Sequence, residues 1–237
     1  MATYVLIHGA WHGAWCWNNV VPRLEKQGHR VLAPDLPGHG RDKTPIPQVS
    51  LQAYADRACE VLDAQSEPVV LVGHSMGGLV ITQAAEQRPQ KIKTLVYLTA
   101  FLLRDGESLL EVAEGDTEAQ VLPNLIMAPD ETYATVREDA LKEVFYGDCS
   151  DEDVARARSL LVPQATAVFA TPVHTTAENF GRIPRVYIEC LLDRAISPAV
   201  QKKMHTALPC QKVISMETSH SPFFSAPEAL AAHLATL

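Results

Sequence analysis

Ser75 stands in Gly73-His74-Ser75-Met76-Gly77, at the end of the apolar run Val69-Val70-Leu71-Val72 and the start of a helical pattern. A serine hydroxyl is a poor nucleophile at neutral pH. It needs an imidazole within hydrogen-bond reach, and the imidazole needs a carboxylate to hold its tautomer. Together such groups attack a carbonyl carbon and pass the acyl group to water. Gly-x-Ser-x-Gly occurs by chance in many chains, but a buried strand before it and a helix after it make it a nucleophile elbow. Ser75 is then expected at positive φ, with its hydroxyl raised above the sheet edge. Gly73 and Gly77 are expected where strand and helix run too close for a β-carbon.

Nine histidines compete to be the base. His220, in Thr218-Ser219-His220-Ser221-Pro222, follows the last strand and emerges on the ligand side. His8, His12 and His74 flank backbone features near the site and read as structural or as polar wall. His29 lies at the wrong end of a strand, His174 in an insertion, and His233 in the closing helix. For the acid, Asp193 follows the fifth strand, and Ser75, Asp193, His220 is the chain order of this architecture. Asp105, after the fourth strand, is the alternative. Asp35 reads as a loop organiser, bonding backbone N–H groups in a proline-rich turn. An attacked carbonyl acquires negative charge and requires preorganised N–H donors. Met76 supplies one and Ala10 the other, with Gly9 letting the loop turn. Losing one such donor typically costs about 3 to 4 kcal/mol of transition-state stabilisation.

Alternating strands and helices must position these residues. The pattern predicts strands at Thr3–His8, Arg30–Pro34, Val69–Val72, Ile92–Thr99, Arg185–Leu191 and Gln211–Met216. Between them fall helices from about Trp15 to a Gly28 stop, from Leu51 (capped by Ser50) to Ala64, from Leu79 to Arg88, at Pro198–Leu208 and at Pro227–Leu237. This is an α/β chain with a doubly wound, mostly parallel six-stranded sheet. With the first strand between the second and the elbow strand, the winding reverses there and a ligand binds at the carboxyl ends. From Arg104 the pattern changes to short helices with no clear strand: Leu109–Ala113, Asp130–Val144 and Asp151–Leu161, the last capped by Asp151. Residues 1–103 and 180–237 are therefore expected to form the core, and 104–179 a small helical cap.

The chain's 237 residues are enough for one large domain, and its 47% hydrophobic and 20% charged composition is that of a soluble globular protein. A net charge of -8 argues against nucleic acid or an acidic membrane surface as partner. No run reaches a membrane span, and no basic, apolar and cleavable leader is present, so no membrane association and no signal peptide are expected. Five scattered cysteines without a Cys-x-x-Cys pair fit buried thiols in a reducing cytoplasm. No His, Cys, Asp or Glu cluster has ligand spacing, so neither metal nor other cofactor is expected. The oligomeric state stays open, a homodimer included.

The chain resembles the hydroxynitrile lyase and plant methylesterase branch of the α/β-hydrolases. The residues that carry this run from Val5-Leu6-Ile7-His8-Gly9-Ala10-Trp11-His12-Gly13-Ala14-Trp15-Cys16-Trp17 through Gly28-His29 and Gly73-His74-Ser75-Met76-Gly77-Gly78 to Val186-Tyr187-Ile188, Asp193 and His220. The resemblance implies a Ser75, Asp193, His220 triad, an oxyanion hole from Ala10 and Met76, and a cap formed by the insertion. Cyanohydrin-cleaving members carry threonine where Gly9 stands and lysine where Ser221 stands. Lacking both, the chain resembles esterases, including bacterial carboxylesterases with a tail like Ser219-His220-Ser221-Pro222-Phe223-Phe224. Hydrolysis of small, largely apolar carboxylic esters is the expectation, with cyanohydrin cleavage or ligand binding without turnover as alternatives. Trp11, His12, Leu125, Phe145 and Phe223 are expected in the pocket wall. Leu109, Val121, Ile126, Met127, Leu160 and Phe169 are the insertion's other candidates, most such residues more often being cap core than pocket lining.

Overall fold

The computed structural model describes residues 1–237. Six strands form a parallel sheet: β1 (Thr3–Ile7), β2 (Arg30–Leu32), β3 (Val69–His74), β4 (Ile92–Leu98), β8 (Arg185–Cys190) and β9 (Lys212–Met216). Their order is β2-β1-β3-β4-β8-β9. β1 pairs with β2 on one side and β3 on the other, Val5 lying opposite both Leu32 and Leu71. Winding therefore runs outward in both directions from β1 and β3. Right-handed crossovers that travel in opposite directions lie on opposite faces. β3 is buried at every position, as a strand covered on both faces must be.

The first helix predicted from Trp15 is split into a 3-10 turn, Ala14–Asn19, and a helix, Val21–Lys26. Pro22 explains the break. It has no N–H to give a preceding turn, yet it suits the second position of a new helix. The helix Leu51–Asp63 starts as expected, with Ser50 Oγ accepting from Ala53 N–H at 3.1 Å.

Residues 104–179 lie between β4 and β8 and depart from the expected all-helical character. They hold a three-stranded antiparallel sheet of β5 (Leu125–Met127), β6 (Tyr133–Val136) and β7 (Gln164–Ala165). The helix expected over Asp130–Val144 is a turn, then β6, a 3-10 turn at Glu138–Ala140 and a helix only at Leu141–Phe145. Thr132 bonds Asp130 through both N–H and O–H, and Glu131 takes φ +58°. After that turn, Tyr133, Thr135 and Val136 favour an extended backbone, which pairs with β5 in the register Leu125 to Val136. Helix Asp151–Leu160 is capped by Ser150 Oγ, accepting from Asp153 N–H at 3.1 Å, rather than by Asp151. No helix in the chain is long and apolar enough to cross a membrane.

The elbow rests on close backbone packing. A β-carbon on Gly73 would lie 2.6 Å from the carbonyl oxygen of Gly77, and one on Gly77 would lie 2.8 Å from that of His8. These neighbours are main chain and cannot rotate away. Gly73→Ala is accordingly expected to destabilise the protein by about 3 kcal/mol or more, beyond ordinary overpacking. A urea midpoint within error of wild type would show that the elbow yields more easily than this packing implies.

Candidate active site

Ser75 has φ +55° and sits between β3 and the helix Gly77–Gln87. From Val69 to Thr82 it is the one residue not buried. Its carbonyl accepts from Gly78 N–H at 3.0 Å and Phe101 N–H at 3.1 Å, which fixes the turn. Ser75 opens into a cavity of about 130 Å³, comparable to the void that holds a benzene ring in other proteins. Fifteen of its seventeen lining residues are hydrophobic, the exceptions being Ser75 and Thr166. Ala10 and Met76 line it beside Ser75. Neither backbone N–H of these two residues is engaged within the protein.

The imidazole and carboxylate lie together, with the His220 ring packed on Phe145 of the cavity wall and no hydrogen bond joining it to the Ser75 hydroxyl. His220 Nδ1 is 2.6 Å from Asp193 Oδ2, both side chains almost wholly buried. The hydroxyl of Thr99 donates to the same oxygen. Asp193 Oδ1 accepts from Ala195 N–H at 2.6 Å and Ile196 N–H at 3.0 Å, and Ala195 and Ile196 themselves line the cavity. Every lone pair of the carboxylate that faces the protein is thus taken, and its orientation is fixed. His220 is joined to the elbow through His74, whose Nε2–H donates to the His220 carbonyl at 2.8 Å. The two rings are 4.6 Å apart, and the His220 ring also contacts Phe145 at 5.7 Å. Asp105 takes no part. Its exposed carboxylate accepts from Thr175 N–H at 2.9 Å.

The other predicted pocket residues divide. Trp11, Leu125 and Phe145 line the cavity with Ser75, as do Leu109, Val121, Met127 and Phe169. His12 and Phe223 do not line it, contrary to expectation. Phe223 is fully buried beneath the site, between His12, Trp17, His74 and Phe224. It is the second residue of a helix, Pro222–Ser225, that turns its ring inward. His12 Nδ1–H donates to the Ala10 carbonyl at 2.8 Å while Nε2 accepts from the Tyr146 hydroxyl at 2.8 Å, so it steadies the Ala10 peptide instead. Ile126 and Leu160 point to solvent. Asp35 organises its loop as expected, accepting from Ala14 and Arg41 N–H.

Thr99 carries no signal read in the sequence, and Trp11 and His74, expected as wall, do more than line it. Thr99 follows β4 at φ +36°, a rare conformation for a β-branched residue. Its N–H bonds Ile188 O on β8 at 2.7 Å, which places it under Asp193. Its position at the carboxyl end of the strand beside β8 was the available signal. Trp11 has φ +62°, and its carbonyl accepts from Val162 N–H at 3.0 Å while its indole N–H donates to Ala134 O at 2.9 Å. Both bonds tie the loop carrying Ala10 to residues 104–179. His74 was read only as wall, yet it links elbow and imidazole.

Burial holds His8 and His74 well below the usual histidine range and His12 at about 4, with neighbouring imidazoles, His39 beside His8 and His220 beside His12 and His74, adding to the effect. Leu36 N–H donates to His8 Nε2, so that ring carries its proton on Nδ1, toward Gly9 O. These rings fold neutral, whereas in the unfolded chain they take protons near pH 6.5. Their contribution to stability is therefore complete above about pH 6.5 and is lost as pH falls toward about 4, where His12 is protonated. The unfolding free energy is expected to fall from pH 6.5 to 4.5 by up to about 1.4 kcal/mol per pH unit for each such histidine, and the urea midpoint with it. A midpoint unchanged between pH 7 and pH 5 would contradict this.

The model of the family described as alpha/beta hydrolase matches residues 4–233. A pyrethroid hydrolase of Sphingobium wenxiniae is 36% identical over 98% of this chain and 85% of its own length. Methylesterase 2 of Arabidopsis thaliana is 35% identical over 98% of this chain and 94% of its own. The crystal structure of a pyrethroid hydrolase from Sphingobium faniae superposes with a TM-score of 0.89 at 32% identity, covering 99% of this chain and 96% of that one. With the six-stranded sheet and the serine elbow in place, these matches settle the lineage: the chain belongs to the α/β-hydrolase family, in the branch that holds the plant methylesterases.

Proposed function

We propose that the protein is a serine carboxylesterase acting on small, largely apolar esters through an acyl-enzyme. Ser75 Oγ attacks the ester carbonyl as His220 Nε2 takes its proton, and Asp193 holds the Nδ1 proton and steadies the resulting imidazolium. The N–H groups of Ala10 and Met76 receive the negative oxygen. The intermediate collapses, the C–O bond to the alcohol breaks, and the alcohol leaves with the proton from His220. Water then adds to the acyl carbon, giving its proton to His220, and the acid departs as Ser75 recovers its hydroxyl proton. Residues 104–179 act as the cap that closes the apolar cavity over the acyl or alcohol group.

One observation carries this reading: an unengaged serine on a strained elbow opens into an apolar cavity beside two unengaged backbone N–H groups, with a bonded His–Asp pair tied to the elbow through His74 and packed on Phe145 of the cavity wall. The relatives named as a pyrethroid hydrolase and a methylesterase support it. Cyanohydrin cleavage is disfavoured, because a β-carbon on Gly9 would lie 2.8 Å from Ser75 Cβ and no lysine follows His220. The cavity's hydrocarbon wall offers nothing to a charged acid, so neutral aryl and short acyl esters are the substrate class. Five free thiols are in keeping with a reducing cytoplasm. The test is a panel of p-nitrophenyl esters of graded acyl length, run beside mandelonitrile. Ester turnover with an initial burst and no cyanide release is expected. Cyanide release exceeding hydrolysis, or binding without turnover, would overturn the reading.

A further inference from the structure

The loop that carries His220 is held at four consecutive residues. Thr218 O accepts from Leu192 N–H at 3.0 Å, His220 O accepts from His74 Nε2–H, and Ser221 O accepts from Phe224 N–H at 3.0 Å. These three anchors belong to the elements around the six-stranded sheet. The fourth does not. Ser219 gives its N–H, at 3.1 Å, and its hydroxyl to the two carboxylate oxygens of Asp148, which lies between the helices Leu141–Phe145 and Asp151–Leu160. Ser219 is 4% exposed, whereas Asp148 is solvent-exposed. An exposed carboxylate has water as an alternative partner, but the buried Ser219 N–H has no other acceptor in the protein. Losing it strands a buried donor next to the imidazole.

The same segment also grips the loop carrying the acid. Asp116 Oδ2 accepts from Ser197 N–H at 2.8 Å, Gln120 N–H donates to Arg194 O at 2.7 Å, and Glu143 pairs with the Arg194 guanidinium. Residues 104–179 therefore bond the loops that carry both members of the His–Asp pair. The segment that supplies most of the apolar wall thus also bonds the loops holding the proton-transfer groups.

Resting on the esterase reading, we infer that Asp148 is a positioning residue for His220. Through Ser219 it fixes the depth of the imidazole relative to Ser75, and it couples placement of the segment over the cavity to proton transfer. It touches neither substrate nor reacting atoms, so its effect falls on the rate of acylation and not on binding. Misplacement of a proton-transfer group by about an ångström costs on the order of 100-fold.

The experiment measures kcat and KM on a p-nitrophenyl ester for Asp148→Ala, Asp148→Asn, Asp151→Ala and Ser75→Ala, with a thermal midpoint for each. Asp148→Ala is expected to lower kcat by about 10- to 100-fold with KM changed less than threefold. Asp148→Asn retains an acceptor oxygen for Ser219 and is expected to recover most of the loss. Asp151→Ala, which breaks an exposed ion pair with Lys142 on the same segment, is expected to leave kcat within twofold. The inference is overturned if Asp148→Ala lowers the midpoint but not kcat, if KM carries the change, or if Asp151→Ala matches Asp148→Ala. Should Asp148→Ala fail to fold, Asp148→Ser decides, its side chain being too short to hold both the N–H and the hydroxyl of Ser219: kcat at the wild-type level overturns the inference. A Ser75→Ala chain that still turns over would sink the esterase reading itself. A dead Ser75→Ala beside an unimpaired Asp148→Ala would sink this inference alone.

Discussion

Replacing Ser75 with alanine is expected to lower kcat on a p-nitrophenyl ester by about 10⁴- to 10⁶-fold, the range for removing the nucleophile from such a set. The only other hydroxyl in the cavity wall, on Thr166, is not hydrogen-bonded to a histidine but donates to Glu131 O. Nothing else can substitute. The fold should survive, because alanine keeps the β-carbon that packs against Gly9 and accepts the same backbone conformation at similar cost. Ser75→Gly separates the two effects further. Glycine adopts φ +55° without the left-handed penalty of about 1 to 2 kcal/mol, so this variant should be equally inactive yet more stable. More than a tenth of wild-type activity in Ser75→Ala would remove the nucleophile from the scheme.

Asp193→Asn is expected to cost about 10⁴-fold in kcat. The asparagine NH2 would face His220 Nδ1 in place of an acceptor, or turn toward the Ala195 and Ile196 N–H groups that now bind Oδ1. Either way the imidazole is offered the wrong tautomer. Asp105→Asn is expected to stay within about twofold, since that carboxylate is exposed, accepts only from Thr175 N–H and lies 3.8 Å from the His174 ring. Steady-state kinetics on the two variants side by side check this, and the reverse ordering would assign the acid to the strand before the insertion.

Local rules reached the sheet order, the elbow and the loops holding Ser75, Asp193 and His220, because buried parallel strands and capped helices each leave a signature a few residues long. Ser75 at positive φ and the tight Gly73 and Gly77 contacts follow from that motif alone. What escaped depends on partners far along the chain. β6 is a strand because β5 and β7 pair with it, and nothing within Tyr133–Val136 announces that pairing. Thr99 is significant because Asp193 lies 94 residues away, and Asp148 because Ser219 lies 71 away. Phe223 and His12 were placed in the wall for their size and position beside the motif. Which way a side chain turns from a short helix or loop is settled by packing, and both turned inward.

The most direct measurement is covalent labelling with diethyl p-nitrophenyl phosphate followed by mass spectrometry of the intact chain and its peptides. An activated serine displaces p-nitrophenolate and keeps the diethylphosphoryl group. One adduct per chain on the peptide containing Ser75, with parallel loss of esterase activity and no adduct in Ser75→Ala, is the predicted result. Undiminished ester turnover in an unlabelled chain, or labelling of a different residue in step with inactivation, would contradict it.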